Sequence, residues 1–588
     1  MKAGQKKWKA TSGKSTDIRL EVFRYFLVAL ASIITLKLLF VQLVDHDFYT
    51  ALANGQHELF KTLIPDRGTI YVHDYKDKTL IPVGTNEQRS FIYADPRQIN
   101  DVEKTVRSLA ELFGYDEERQ TLLKERLGRK EDPYEPIEKE IDDKMLAKLQ
   151  AYKLDGIHSV RKSTRVYPEQ GVGGHVIGFL GTNEDGTQVG KYGIEGYFNE
   201  ELSGTQGFIH AERDIAGRLI SIGDRSVEPA VDGADLVLTI DRTIQFKACS
   251  ALEEAVQRYG ADGGSVVIVE PSSGKIFAMC GFPDFDPNHY GDVKSINDFN
   301  NPTIFDSYEP GSIFKPLTMA AAIDVGAVSP TTTFEDTGSV MVEGWPKPLG
   351  NAEGKSYGVV DMTKVLEDSI NTGMVFSMRQ MGRAQFVDYV KRFGFATKTG
   401  IELETEQQNT IASLEKDSEI YSATASFGQG ITVTPIQIAM AYAAVANGGV
   451  LKRPMIIDEI HRADGSVEKR TPQDITRVID EKTARTIGAM LVSVIEHGHG
   501  KRAGVKGYYI GGKTGTAQVA RKNGIGYDED NTIGSFAGFG PVEDPRFAMV
   551  VRIDNPKGIT WAESTAAPLF GTIAEFLLEY FEIQPVRK

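Results

Sequence analysis

Residues Glu309 to Pro316 read EPGSIFKP and set a serine hydroxyl three positions ahead of a lysine amine. Such a pair suits nucleophilic acyl transfer, with the lysine taking the serine's proton, if the amine is kept neutral. Spacing alone does not single it out, because Ser-x-x-Lys occurs five times, at Ser159, Ser272, Ser312, Ser413 and Ser466. Context does. Pro310 and Gly311 are breakers directly ahead of a helical pattern, which predicts Ser312 at a helix N-terminus with Lys315 on the same face. There the helix dipole favours an alkoxide and disfavours an ammonium. Ser272 falls in a hairpin turn, and Ser159, Ser413 and Ser466 fall in polar segments where the lysine reads as solvated.

A serine and lysine need two further parts: a group that passes the proton to the leaving amine, and groups that bind the substrate carboxylate and the oxyanion. Ser-x-Asn occurs at Ser295 and at Ser369-Ile370-Asn371, and Lys-Thr-Gly at Lys398 and at Lys513-Thr514-Gly515. Ser369 lies between two helical stretches, DMTKVLED and NTGMVFSMRQMG, on a tight connection suited to a cleft, whereas Ser295 sits in plain polar loop. Lys513 stands in the extended run GYYIGGKTGTAQVA, whose paired glycines are expected to admit a substrate backbone. Strand alternation would put Lys513 and Gly515 on one side and Thr514 and Thr516 on the other. Lys398 closes FGFATKTGIELE on a loop leaving a helix and is expected to be solvated.

The elements that position these groups follow from patterning. From Asp45 to about Ala230 the chain mixes short strands, charged helices and Gly-rich turns. Near Asp232 a new unit opens with a strand, the helix TIQFKACSALEEAVQRYG and two strands joined by Pro-Ser-Ser-Gly. Apolar helices and three strands follow, then a closing helix, which predicts a sheet with helices on both sides.

Bulk composition narrows the class. The 588 residues carry a net charge of −15, which argues against nucleic acid as the main ligand. The first 24 residues oppose that trend, with seven basic residues against two acidic ones. Tyr25 to Val44 is a 20-residue apolar run, long enough to span a bilayer with the basic flank in the cytoplasm. An uncleaved anchor is expected, with Lys37 inside it either snorkelling or meeting a partner helix. Cys249 and Cys280 read as small buried residues, with a disulfide the lesser expectation. No convincing metal set is present, and His497 and His499 read as loop residues.

In the order Ser312-x-x-Lys315, Ser369-x-Asn371 and Lys513-Thr514-Gly515, the motifs resemble the active-site triplet of penicillin-binding proteins and serine β-lactamases. The wider chain resembles class B penicillin-binding proteins of the division-specific penicillin-binding protein 3 type. Arg67-Gly68-Thr69-Ile70, RVYPEQGVGGHVIGFLG and YGIEGYFNEELSGTQG are similar to its non-catalytic boxes. YEPGSIFKP, SFGQGITVTPIQIAMAYAAVANGG and GGKTGTAQ are similar to its catalytic segments. One departure is that Arg67-Gly68 leads into YVHDYKDKT where the family has an Asp-Arg-Asn/Ser-Gly turn.

The resemblance implies an α/β (α+β) transpeptidase fold of β-lactamase-like type, preceded by a pedestal and one membrane helix. Its parts would be a basic tail (1–24), an anchor (25–44), a dimerisation-like pedestal (45–230) and a transpeptidase domain (231–588). By resemblance, Ser312 is the nucleophile, Lys315 its base and Ser369 a proton relay. Asn371 binds the donor peptide, Lys513 supplies charge, and Thr514, Gly515 and Thr516 line the carboxylate site. The backbone N–H groups of Ser312 and Thr516 form the oxyanion hole. Implied partners are D-Ala-D-Ala stem peptides, an acceptor amine, β-lactams, a membrane glycosyltransferase and division proteins; no cofactor is implied. The rival readings are an elongation-type transpeptidase, a carboxypeptidase or β-lactamase-like hydrolase, and a non-catalytic division scaffold.

Overall fold

The computed structural model describes residues 18–43, 58–169, 173–184, 186–212, 225–520 and 527–587. Most of the expected basic tail, through Asp17, and Val44 at the end of the expected span lie outside them. The chain divides into two compact units, one of Met1–Pro65 with Thr205–Val231 and one of Asp66–Gly204 with Asp232–Lys588.

The first unit holds the helix Ile18–Leu43 and an antiparallel three-stranded sheet of Glu58–Leu63, Gly207–Glu212 and Arg225–Glu228. The helix has 26 residues, about 39 Å at 1.5 Å per residue. Its described side chains, among them Phe23, Phe26, Val28 and Ile33, are exposed. The side chains at 18–21, 36 and 38–43 lie outside the described set. Among the described residues no helix is long and apolar enough to cross a membrane.

In the second unit, one sheet draws strands from both sides of residue 231. Asp235–Asp241 runs parallel to Ile70–His73, with Leu236 opposite Ile70, and the sheet continues through Leu80–Ala94 to Glu135–Ile141. Three of the sequence boxes converge beside it on one carboxylate. Glu195, whose side chain is wholly buried, accepts from Arg67 Nε and Arg165 Nε at 2.7 Å each. Burying one carboxylate between two guanidinium groups makes its loss costly, since removing a partner leaves an uncompensated charge.

The site is carried by a separate five-stranded sheet. In chain order its framework is α1 (Arg242–Tyr259), β1 (Gly263–Val269), β2 (Ile276–Phe282), α2 (Lys315–Asp324), α3 (Asn371–Met381), α4 (Pro435–Ala446), α5 (Glu481–His497), β3 (Gly511–Ala520), β4 (Tyr527–Gly540), β5 (Phe547–Asp554) and α6 (Ala566–Tyr580). Strand order is β2-β1-β5-β4-β3, antiparallel throughout, so β3 is an edge. Alternation assigns the two faces. Val266, Ile268, Met549 and Val551 pack with Leu252 of α1 and Phe570 of α6. Val267, Val269, Ala548 and Val550 pack with Leu317, Ile436, Met440 and Leu491 from α2, α4 and α5. The expected sheet between two helix layers is therefore present.

One reading is corrected here. Cys249 on α1 and Cys280 on β2 form a disulfide with Cα atoms 5.3 Å apart. Packing of α1 across β2 brings them together, and neither helix nor strand periodicity carries that information. The paired glycines Gly511 and Gly512 make room for core side chains, a role their sequence did not suggest. A Cβ on Gly512 would sit 2.5 Å from the Phe536 ring, and one on Gly511 3.0 Å from Val542.

Candidate active site

Ser312 lies in a single 3-10 turn, Gly311–Phe314, that runs directly into α2. The Lys315 N–H bonds the Ser312 carbonyl, and Pro316 in the first turn of α2 lacks the donor that would otherwise go unpaired there. Ser312 thus sits one turn ahead of the α-helix, close to the predicted place. Lys315 is buried, at 1% exposure.

Ser369 joins the helix Met362–Glu367 to α3 and takes a left-handed backbone, φ +58. For a residue with a Cβ this costs on the order of 1 kcal/mol. The turn delivers the side chain to Ser312. Ser369 Oγ lies 3.0 Å from Ser312 Oγ. Lys315 Nζ lies 3.0 Å from Ser369 Oγ and 2.5 Å from the Ser369 carbonyl. The hydrogen-bonded path from Ser312 to Lys315 therefore passes through Ser369. Asn371 opens α3 and donates through Nδ2 to the Gly350 carbonyl at 2.9 Å.

Strand β3 closes the opposite side, with the alternation read from its sequence. A Cβ on Gly515 would meet Ile313 Cγ2 at 2.9 Å and the Pro310 carbonyl at 3.0 Å, so this face of the strand abuts the Ser312 turn. Any side chain there would push β3 and Ser312 apart. On the other face, Thr516 Oγ1 accepts from the Ala562 N–H at 3.1 Å. Lys513 is wholly buried, with Nζ 3.3 Å from the Thr514 carbonyl and 3.4 Å from its hydroxyl.

Burial first, and then the like charge of Lys513, push the Lys315 amine well below the usual lysine range. Burial also brings Lys513 down to about 7, against the opposing pull of Glu563 and Asp368. Lys513 is thus partly neutral near pH 7, and burial shifts Lys315 toward the neutral form that a proton acceptor requires.

The competing motifs lie elsewhere. Lys398 is exposed in a loop, its neighbour Thr399 donating to Glu406 at 2.6 Å. Ser295 is exposed and accepts from the Asn297 N–H. Ser159, Ser272 and Ser466 are exposed, and Ser413 is half-buried and donates to the Gly430 carbonyl at 2.6 Å. Its lysine, Lys416, stands over the Tyr421 ring at 4.9 Å, and Lys469, partner of Ser466, pairs with Glu459 at 2.6 Å. His497, read as a loop residue, is instead the last residue of α5, and His499 lies in the loop beyond it, 3.4 Å from Glu563. Among the described residues no group of ligating side chains could hold a metal ion. Asp336, Asn351 and Thr372, which brace the start of α3, escaped sequence reasoning because they match no motif.

A serine one turn ahead of a helix, a buried lysine and a second serine between them, held by a two-faced sheet, form a candidate serine acyltransferase site. Residues 264–575 match the penicillin-binding protein transpeptidase domain, and residues 62–238 the penicillin-binding protein dimerisation domain. The chain belongs to the penicillin-binding protein transpeptidase family. It is 33% identical to stage V sporulation protein D of Bacillus subtilis, over 96% of this chain and 86% of that protein. It is 30% identical to the peptidoglycan D,D-transpeptidase FtsI of Escherichia coli, over 87% of this chain and 83% of that one. Among solved structures it is similar to penicillin-binding protein 3 of Mycobacterium tuberculosis in complex with aztreonam. That match has a TM-score of 0.68 at 25% identity and covers 90% of this chain and 99% of the other.

Proposed function

We propose that this protein is a peptidoglycan D,D-transpeptidase of the division type that cross-links stem peptides through an acyl-enzyme on Ser312 and is acylated by β-lactams. The observation that carries this reading is the chain Ser312 Oγ, Ser369 Oγ, Lys315 Nζ, with 3.0 Å at each step and a buried amine at its end. Family membership supports it, as do relatives named for this activity.

Ser312 Oγ attacks the carbonyl of the penultimate D-alanine while its proton passes through the Ser369 hydroxyl to neutral Lys315. The backbone N–H groups of Ser312 and Thr516 hold the oxyanion, and Thr514 and Thr516 hold the terminal carboxylate beside Lys513. Collapse breaks the C–N bond, and the proton returns through Ser369 to the leaving D-alanine. The amine of a second stem peptide then attacks the ester, gives up a proton by the same route and restores Ser312. Asn371 bonds the donor peptide.

In this reading residues 1–24 are a cytoplasmic tail, 25–44 an anchor, 45–230 a pedestal and 231–588 the catalytic domain outside the cytoplasm. The apolar run in Ile18–Leu43 supports the anchor. A separate membrane glycosyltransferase and division proteins are its proposed partners, on family resemblance alone.

The test is labelling of the full-length protein, in detergent, with fluorescent penicillin. Ser312→Ala is expected to abolish labelling and, because Ser312 is the half-buried residue of an otherwise buried turn and its truncation removes a single hydroxyl, to change stability by only about 1 kcal/mol. Undiminished labelling of that variant would end the assignment. A donor peptide supplied with an amine separates cross-linking from hydrolysis by the product formed.

A further inference from the structure

Helix α3 starts behind Ile370, which offers no side-chain acceptor for the N–H groups of the first turn. That need is met from far along the chain, since Asn351 Oδ1 accepts the Thr372 N–H at 3.1 Å. Asn351 is held in turn by Asp336. Its Nδ2 donates to the two carboxylate oxygens at 3.0 and 2.9 Å. The Thr372 hydroxyl donates to Asp336 Oδ1 at 2.6 Å, and the N–H groups of Gly338 and Tyr357 complete the shell at 3.0 and 2.8 Å. Asp336, Asn351 and Thr372 are all buried. Burial alone would raise the Asp336 pKa, but the bonds from Thr372, Gly338, Tyr357 and Asn351 outweigh it and hold the carboxyl below its usual range.

This network reaches the site through one peptide unit. Gly350 precedes Asn351, and its carbonyl takes the Asn371 Nδ2 bond at 2.9 Å. With one N–H held by Gly350, the Asn371 amide keeps its second N–H and its oxygen in fixed directions, where they can meet the amide of a bound peptide or β-lactam. Moving Gly350 would release the amide to rotate. We propose that Asp336 is a positioning residue for Asn371, fixing Gly350 against the start of α3 through Asn351 and Thr372 and so setting which end of the Asn371 amide meets the ligand. The inference rests on the transpeptidase reading, because acylation is its readout.

The test titrates full-length wild type, D336N, N371A and the double variant with fluorescent penicillin, separating the dissociation constant from the saturating acylation rate. Asn keeps the shape of Asp336 but turns an NH2 toward donors. D336N is expected to lower the saturating rate at least about tenfold, with the dissociation constant within about threefold. In the N371A background the same change should cost less than about twofold, since both act through one amide. Effects that multiply, or a D336N protein that acylates like wild type, would overturn the inference. T372S and T372V provide the same test if D336N does not fold. Serine keeps the hydroxyl and should stay within about twofold of wild type, while valine should fall at least about fivefold; equal rates would count against the proposal. Failure of the wild type to label refutes the transpeptidase reading and this inference with it, whereas labelling indifferent to Asp336 and Thr372 refutes this inference alone.

Discussion

Lys513 and Lys398 stand in identical Lys-Thr-Gly tripeptides, one wholly buried on a sheet edge and the other exposed in a loop. Replacing each by alanine should give opposite results. The Lys513 amine titrates at about 7, so at pH 6 it is mostly charged, and its repulsion contributes to the depressed pKa of Lys315. Below the Lys315 pKa, the neutral fraction of the base falls tenfold per unit, about 1.4 kcal/mol. Losing that repulsion lets the Lys315 pKa rise, so acylation at pH 6 slows by about tenfold for each unit of that rise. Above about pH 8 Lys513 is itself largely neutral in the wild type, so the ratio of wild type to Lys513→Ala should narrow at least about threefold. Lys398→Ala should stay within about twofold at every pH, the range of an exposed substitution. The assay is the rate of fluorescent penicillin labelling from pH 6 to about 9, a window chosen to bracket these titrations. A larger effect at Lys398, or a Lys513 ratio constant with pH, would refute the reasoning.

The Cys249–Cys280 bridge closes a loop of 31 residues, so replacing both by serine should cost roughly 3–4 kcal/mol on chain-entropy grounds, read as a fall in the denaturation midpoint; an unchanged midpoint would count against the pairing. Folding also lowers the Lys513 pKa from 10.5 to about 7. The unfolded chain then holds more protons between those values, and stability rises with pH across that window. The wild-type melting temperature should climb relative to that of Lys513→Met between about pH 7 and 10, and a constant difference would show that the amine is not depressed. Deleting residues 1–44 should release the protein from membranes while leaving penicillin labelling intact, and persistent membrane association would place the anchor elsewhere.

Much of the site was legible because its marks are local. Breakers at Pro310 and Gly311 announce the helix that carries Lys315, and hydrophobic periodicity distinguishes the strand holding Lys513 from the loop holding Lys398. Less was legible where one residue serves another at a distance. Gly511 and Gly512 suggested room for a substrate, but only the ring of Phe536 and the side chain of Val542 reveal that they make room for the core. Asp336 carries no mark in the sequence, because the helix it braces begins 35 residues later.

By itself the sequence determined the inventory: which serines and lysines can pair, where helices and strands begin, and that a sheet should lie between two helix layers. Those features depend on neighbours within a turn or two of chain. Tertiary structure decided which groups meet. Ser369 reaches Ser312 across 57 residues and Lys315 across 54; burial beside Lys513 lowers the Lys315 pKa; Cys249 finds Cys280 only when α1 lies on β2. Proton transfer needs contact within about 3 Å and a desolvated amine, and both distance and dielectric are properties of the packed chain.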